Sequence, residues 1–455
     1  MTLAAHPLRR ILVANRGEIA LRIIRACHEV GIEAIAAYSE ADRDSLPVRL
    51  ADGSICIGPP PSSQSYLRID LLIAAARAAN ADAIHPGYGF LSENAAFAQG
   101  CEDAGVVFIG PPARAIALMG DKAMARRKAS EAGVPITPGS PGMLADVAAA
   151  REAGAALGYP VLLKAAAGGG GRGMRVVRDE TQLPARFADA AREAQAAFGD
   201  ARLYVEKFLE RVRHLEIQVL SDGETVLHLG ERDCSIQRRN QKLVEESPSP
   251  ALDDAMRARM GEAAVRVCRH VGYLSAGTIE FIADAASGDF YFMEMNTRVQ
   301  VEHPVTEMVT GIDIVKAQIR IARGEPLAIA QHDVRLVGHA IECRINAEDP
   351  ARDFAPSPGD VRELHLPGGP GIRIDSHLYA GYRIPPYYDS LLAKVIAWGR
   401  ERDEAIARMR RALSEMRVDG VHTTLPFHLR LLADERFHRG DVHTRFVEDE
   451  LMGTT

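Results

Sequence analysis

The chain has 455 residues, 47% of them hydrophobic, and 54 Lys and Arg against 61 Asp and Glu give a formal net charge of -7. At ~150 residues per unit, that length accommodates about three domains with full cores. Mixed charge of this sign argues against nucleic acid as the main partner, and no run approaches the ~20 apolar residues of a membrane span.

The N-terminus, MTLAAHPLRRILVANRG, carries no apolar signal core before its first strand. The six cysteines (Cys27, Cys56, Cys101, Cys234, Cys268 and Cys343) include no CxxC pair. They are expected to be reduced, buried thiols of a cytoplasmic protein, with no disulfide frame and no zinc site.

The first domain is placed at about residues 1–115. Ile11 to Ala14 reads as a strand, Glu18 to Val30 as a helix with apolar residues at helical spacing, and Ile32 to Tyr38 as a second strand. Further strands are predicted at 54–57, 83–85 and 106–109, with a helix over 69–80. Alternating strands and helices imply a Rossmann-like parallel sheet. The first turn, Ala14-Asn15-Arg16-Gly17-Glu18, lacks the GxGxxG needed for close pyrophosphate approach, which weighs against an NAD oxidoreductase. The loop HPGYGFLSE, His85 to Glu93, follows a strand end, where ligands gather in open α/β sheets.

The middle domain is placed at about 116–330, with a lid subdomain at about 136–208. A helix over 121–131 carries Lys122. Then a strand, Val161 to Ala165, bears Lys164 and leads through Gly168, Gly169, Gly170 and Gly171 to a returning strand, Met174 to Val177. Bare backbone N–H groups in such a loop can cradle phosphate oxygens, and Lys164 at its root can meet phosphate as a point charge. No GK[ST] follows, so this is not a Walker A loop. Glu206 and Lys207 lie in LYVEKFLE, a segment suited to line an adenine slot. His214, Glu216 and Gln218 alternate onto one face of a strand, and ERDCSIQRRNQK concentrates Gln237, Arg238, Arg239 and Lys242.

The densest pattern is GTIEFIADAASGDFYFMEMNTRVQVEHPVT, Gly277 to Thr306. It reads as two strands joined at Ala286-Ser287-Gly288. From Glu294 an extended backbone would put Glu294, Asn296, Arg298, Gln300 and Glu302 on one face, and a bend in the loop 297–301 is expected to bring Glu302 closer to Glu294 than the ~26 Å of a fully extended chain. Folding the hairpin about Ser287 sets Glu280 opposite Glu294. Two like charges across a strand pair repel, unless a hard cation sits between them, and Asn296 offers a third oxygen.

The third domain is placed at about 331–455. GHAIECRINAEDP opens with a strand carrying Glu342 and Arg344 on one face, for which an ion pair between the two is the plain structural expectation. Residues 360–400 are rich in Gly, Pro and Tyr, and 404–416 reads as an amphipathic helix.

The order Lys122, Lys164 with its glycine loop, Glu206-Lys207, Glu280, then Glu294 with Asn296 resembles the ATP-grasp superfamily. Within it, HPGYGFLSE, GGGGRGM, HLEIQVL, ERDCSIQRRNQK, MEMNTRVQVEHPVTE, GHAIECRINAED and PPYYDSLLAK resemble biotin carboxylase along nearly the whole chain. The resemblance implies an α/β (α+β) fold: a parallel-sheet N-terminal domain, a central ATP-grasp domain with a glycine-rich lid, and a C-terminal mixed β/α domain. Two departures are Asn240, where many members have His, and alanines at 165–167 ahead of a shortened glycine run.

The resemblance also implies residue roles. Lys122, Lys164, Gly168 to Gly171 and Lys207 would hold ATP, with Glu206, His214 and Gln237 on the nucleotide side. Glu280, Glu294 and Asn296 would place magnesium (or manganese). Lys242, Arg298, Gln300 and the Val301 backbone would hold bicarbonate, and Glu302 would take its proton. Arg344 would stabilise the biotin enolate, and Tyr88 and Gly89 would line the biotin site. With no biotinylation motif in the chain, biotin is expected on a separate carrier protein, with carboxyltransferase subunits as further partners, as in the acetyl-CoA carboxylase of fatty acid biosynthesis. A homodimer is expected, although Pro370 stands where some members have an aromatic interface residue. A purine-type carboxylate–amine ligase would not need HPGYGF together with RVQVEHP, and a regulatory subunit without turnover would not need Lys242, Arg298 and Glu302.

Overall fold

The structure, a computed structural model, describes residues 7–165, 174–284 and 287–452. The glycines at 168–171 and Ala286 of the expected turn lie outside the described residues.

The N-terminal sheet is parallel, with strand order Gly53–Cys56, Glu33–Tyr38, Arg10–Val13, Ala83–His85, Val107–Phe108. Ile11, Leu12 and Val13 are completely buried, as a central parallel strand requires. The turn after Arg10–Val13 performs a structural task. Asn15 Nδ2 donates to the carbonyls of Pro86 and Tyr88, each at 2.7 Å, and so staples the HPGYG loop to the start of the helix Gly17–Glu29. Gly87 has φ +62, and a Cβ there would press on Asn15 and Ile19 at 3.0 Å, so only glycine lets the loop lie this close.

Val161–Ala165 pairs with Met174–Val177 on one side and Leu203–Lys207 on the other. This small antiparallel sheet packs on helices Val147–Leu157 and Leu183–Phe198 around its own apolar cluster, which includes Leu163, Val205 and Ala150.

The frame of the molecule is an eight-stranded sheet among the described residues. Its order is Asp289–Asn296, Ser275–Asp284, Val212–Ser221, Val226–Arg238, Gln241–Ser247, His339–Asn346, Leu391–Gly399, Ile372–Ser376. It runs without a break across residue 330, because Gln241–Ser247 pairs with His339–Asn346. The basic segment ERDCSIQRRNQK is thereby a hairpin. Arg239 and Asn240 form its turn with φ of 49° and 65°, the left-handed pair a two-residue turn demands and Asn tolerates.

One expectation is overturned. Glu294 to Glu302 is not one extended face, because the strand stops at Asn296 and Glu302 caps the helix His303–Thr310. Pro304 sits in that helix's first turn, where its fixed φ and missing N–H favour helix initiation over strand continuation. The chain therefore turns, with the His303 N–H donating to the Gln300 carbonyl at 3.3 Å. Among the described residues, no helix is long and apolar enough to cross a membrane.

Candidate active site

Pairing across four neighbouring strands sets Arg232 opposite Glu216, Glu216 opposite Glu280, and Glu280 opposite Glu294. The hairpin register expected for Glu280 and Glu294 is observed, and the row extends further. Three successive carboxylates in register repel one another, and Glu216 and Glu280 are also buried. Inserted cations make the row tenable. Lys242 Nζ donates to Glu216 Oε2 at 2.6 Å, Glu280 Oε1 at 3.0 Å and Glu302 Oε1 at 2.6 Å. An ammonium has three protons, and each is used.

Arg232 is a second hub, fully buried. Its guanidinium donates to Glu216 at 2.5 Å, Gln218 at 2.7 Å, Thr306 at 3.0 Å, Thr278 at 3.1 Å and Gln300 at 2.7 Å. Gln300 in turn donates to Glu280 at 2.9 Å. The bend after Asn296 thus curls Gln300 and Glu302 back under the sheet. Glu302 meets Lys242 with one oxygen and Arg344 with the other, at 2.9 Å. Arg344 also donates to Glu245 at 2.7 Å, so its carboxylate partners are Glu245 and Glu302; the pair with Glu342 is not formed.

Burial alone would raise the Glu302 carboxyl, but Lys242, Arg344 and Arg232 outweigh it and hold the group well below the usual carboxylate range. Glu280 behaves alike: burial opposes ionisation, and Lys242 and His214 overcome it. Glu245 goes the other way. Burial lifts it to about 7, with Arg344 pulling down and Glu302 pushing up. Taking several ions out of water costs several kcal/mol each, so an ion cluster this dry is poor economy for stability alone and marks a functional site.

The residues expected on the nucleotide side form a looser group. Lys164 Nζ meets Glu206 Oε2 at 2.9 Å, and Arg126 meets its other oxygen at 2.8 Å. Lys207 points to the opposite side of its strand and donates to the Gly158 carbonyl at 2.8 Å, so its side chain does not join Glu206. Lys122 Nζ lies 3.2 Å from Glu294 Oε2. His214 Nδ1 pairs with Gln237 at 2.7 Å, and its Nε2 lies 2.9 Å from Glu280 Oε2. Asn296 donates to Glu280 at 2.8 Å and accepts from Arg298 at 3.0 Å. Glu280 and Glu294, register partners across the hairpin, are carboxylates of the hard kind that suits magnesium, and the ligand atoms that lie closest around Glu280 are those of His214 and Glu216, while the Asn296 carbonyl is turned to Arg298.

Arg298 reaches the first domain, where its Nε donates to Glu93 at 2.8 Å. Tyr88 and Gly89 line a cleft of about 320 Å³ with Arg16, Glu18, Tyr388 and Asp389. Tyr88 donates its hydroxyl to Glu18. The Val301 carbonyl accepts from Lys394 at 2.8 Å, leaving its N–H as the backbone group open to a ligand. Sequence reasoning missed Arg232, Glu245, Lys394 and Arg126. Strand alternation in ERDCSIQRR was the available signal for Arg232, and alternation in QKLVEES beside GHAIECRIN the signal for Glu245, since Arg232 and Glu216, and Glu245 and Glu342, are register partners. Arg238 and Arg239, emphasised by composition, leave the site and bind Asp353 instead.

A small lid sheet over a large antiparallel sheet that presents facing carboxylates and lysines is the frame of an ATP-grasp ligase. Comparison with known proteins gives its branch. Residues 7–116 match the family model of the biotin carboxylase N-terminal domain, 121–330 the ATP-binding domain of the carbamoyl-phosphate synthase L chain, and 342–449 the biotin carboxylase C-terminal domain. Biotin carboxylase 1 of Bacillus subtilis is 56% identical over 450 residues, covering 98% of this chain and all of that one. A crystal structure of the Campylobacter jejuni biotin carboxylase–β,γ-ATP complex superposes with a TM-score of 0.92 at 49% identity, covering 97% of this chain and 99% of that chain. The biotin carboxylase domain dimer of Hydrogenobacter thermophilus 2-oxoglutarate carboxylase, with MgADP, ADP and bicarbonate, gives 0.91 at 51% identity, covering 98% of each chain. The chain belongs to the biotin carboxylase family and is an ATP-dependent ligase of the carboxylase type.

Proposed function

We propose that this chain uses ATP and bicarbonate to carboxylate biotin borne on a carrier protein, with Glu302 as general base. The observation that carries this reading is the single Lys242 ammonium shared by Glu280, Glu216 and Glu302. It ties the cation-holding row to the proton acceptor within one hydrogen-bond radius.

Glu280 and Glu294, with Asn296 beside them, would hold magnesium, whose charge neutralises the phosphates. Lys122, Lys164 and the glycine loop would hold the nucleotide, with Glu206, Gln237 and His214 shaping its slot and Lys207 contributing backbone and not its ammonium. Lys242, Arg298, Gln300 and the Val301 N–H would bind bicarbonate. Glu302, already a carboxylate, takes the bicarbonate proton. Two cations make the resulting charge tolerable, and bicarbonate oxygen attacks the γ-phosphorus while ADP leaves, giving carboxyphosphate. Phosphoryl transfer of this kind asks mainly for positioning and charge neutralisation. Carboxyphosphate splits to carbon dioxide and phosphate. The phosphate removes the ureido N–H proton of biotin in the Tyr88–Gly89 cleft, Arg344 stabilises the enolate, and the nitrogen attacks carbon dioxide.

The three units at 1–115, 116–330 and 331–455 would supply the biotin cleft wall, the nucleotide lid with the carboxylate row, and Arg344. We place the chain in the cytoplasm as a homodimer, working with a biotin carboxyl carrier protein and a carboxyltransferase. Acetyl-CoA is the favoured final acceptor, and the carboxyltransferase makes that choice. The test is ADP release with bicarbonate and free biotin omitted in turn. Release should need bicarbonate and rise with biotin; release indifferent to both would reject the reading.

A further inference from the structure

The strand pairing that places Arg344 at the site also places Lys394 directly across from it, and Asp375 across from Lys394. Side chains opposite one another on paired strands share a face. Arg344 and Lys394 therefore both project toward the bend between Asn296 and His303, and they grip consecutive residues. Arg344 holds the Glu302 carboxylate at 2.9 Å. Lys394 Nζ holds the Val301 carbonyl at 2.8 Å. That carbonyl belongs to the peptide plane that carries the Glu302 N–H, so the rigid plane leaves few torsions between Lys394 and the Glu302 Cα.

Lys394 has no exposed surface, and a buried ammonium persists only when paired. Its partner is Glu18, 3.1 Å away, in the first turn of the helix Gly17–Glu29. Asp375 Oδ2 lies 3.8 Å off. Glu342, also fully buried, faces the same ammonium electrostatically. Tyr88 donates its hydroxyl to Glu18 on the carboxylate's other side. A lysine whose only task was to neutralise Glu18 would need no backbone carbonyl, and the carbonyl it takes is the one next to the candidate base.

We propose that Lys394 is a positioning residue for the bicarbonate step: held by Glu18, it fixes the Val301–Glu302 peptide, so that the Glu302 carboxylate and the Val301 N–H meet bicarbonate in register. The inference rests on the reading of Glu302 as base and Val301 as bicarbonate contact.

The test is Lys394→Met, a neutral side chain of similar length, assayed in the full-length protein by bicarbonate-dependent ADP release with free biotin. A misplacement of ~1 Å costs on the order of 100-fold, so kcat/KM for bicarbonate should fall by that order, while KM for ATP and the nucleotide-induced rise in Tm stay at wild-type values. Equal losses on ATP and bicarbonate in a folded variant, or no loss on bicarbonate, overturn the proposal. If Lys394→Met does not fold because Glu18 is stranded, the double variant Lys394→Met/Glu18→Gln removes both charges and is read in the same way. Failure of both to fold makes Lys394 a structural residue and also overturns it. A wild-type protein that ignores bicarbonate sinks the functional reading; a bicarbonate-dependent wild type with an indifferent Lys394→Met sinks only this inference.

Discussion

Lys242 and Lys164 do different physical work although both stand among carboxylates. Lys242 is 12% exposed, shared by three glutamates and flanked by the Arg232 hub. Lys164 is 27% exposed with Glu206 as its carboxylate partner, and Lys122 is 58% exposed beside Glu294. The Lys122–Glu294 pair, 58% and 35% exposed, is worth about 0–1 kcal/mol and exchanges partners readily, and Lys164 can leave the buried Glu206 because Arg126 stays on that carboxylate's other oxygen. A buried cluster gives up a bond only in exchange for another charged partner, so Lys242 can trade one glutamate for an incoming anion but does not otherwise rearrange. On the proposed reading, the side that would take bicarbonate is largely organised before substrate arrives, and the side that would take the nucleotide is assembled around its ligand.

The largest test of this contrast is Glu302→Gln. Removing a general base costs about 10²- to 10⁴-fold in turnover, while the nucleotide-induced rise in Tm should remain. Near-normal turnover would remove Glu302 as the base. Next is Arg232→Met, which breaks the hub from within. Stranding Glu216 and Gln300 should lower unfolding free energy by about 3–5 kcal/mol, read by denaturant titration; a change below 1 kcal/mol would show the hub to be dispensable to folding. Lys164→Met should leave stability nearly unchanged and raise KM for ATP about tenfold, the loss of roughly one charge-assisted hydrogen bond. A large stability loss without any change in KM would reverse the contrast between the two lysines.

A further effect appears only in acid. Burial opposes ionisation of Glu246, but His339 and Arg402, each 2.7 Å away, win and bring it from 4.5 to about 2. A depressed folded value means stability that is complete above about pH 4.5 and lost as pH falls toward 2, roughly 3 kcal/mol in all. Glu246→Gln should therefore flatten the acid limb of the stability curve over that window. An unchanged limb would show that other carboxylates set it.

Much of the site could be read along the chain, and what could be read was local. The Glu280–Glu294 opposition follows from a short hairpin and a side-chain period of two, and the structure has that register. The single face did not continue past Asn296, where Pro304 starts a helix, while the bend expected in the loop 297–301 is present. That bend, and not a strand face, delivers Gln300 and Glu302 to Arg232 and Lys242. Arg238 and Arg239 looked as promising as Lys242 in the basic segment, but a left-handed turn at Arg239-Asn240 sends them to Asp353.

By itself the sequence determined the parallel-sheet start, the hairpins, the paired acids and the family. These depend on residue type and spacing over a few tens of positions, where periodicity and turn chemistry act. Tertiary structure alone decided which charges meet. The row from Arg232 to Glu294 and the pairing of Arg344 with Lys394 join strands far apart in the chain. Such register is set by burying one whole sheet face at once, a global condition that no local window contains.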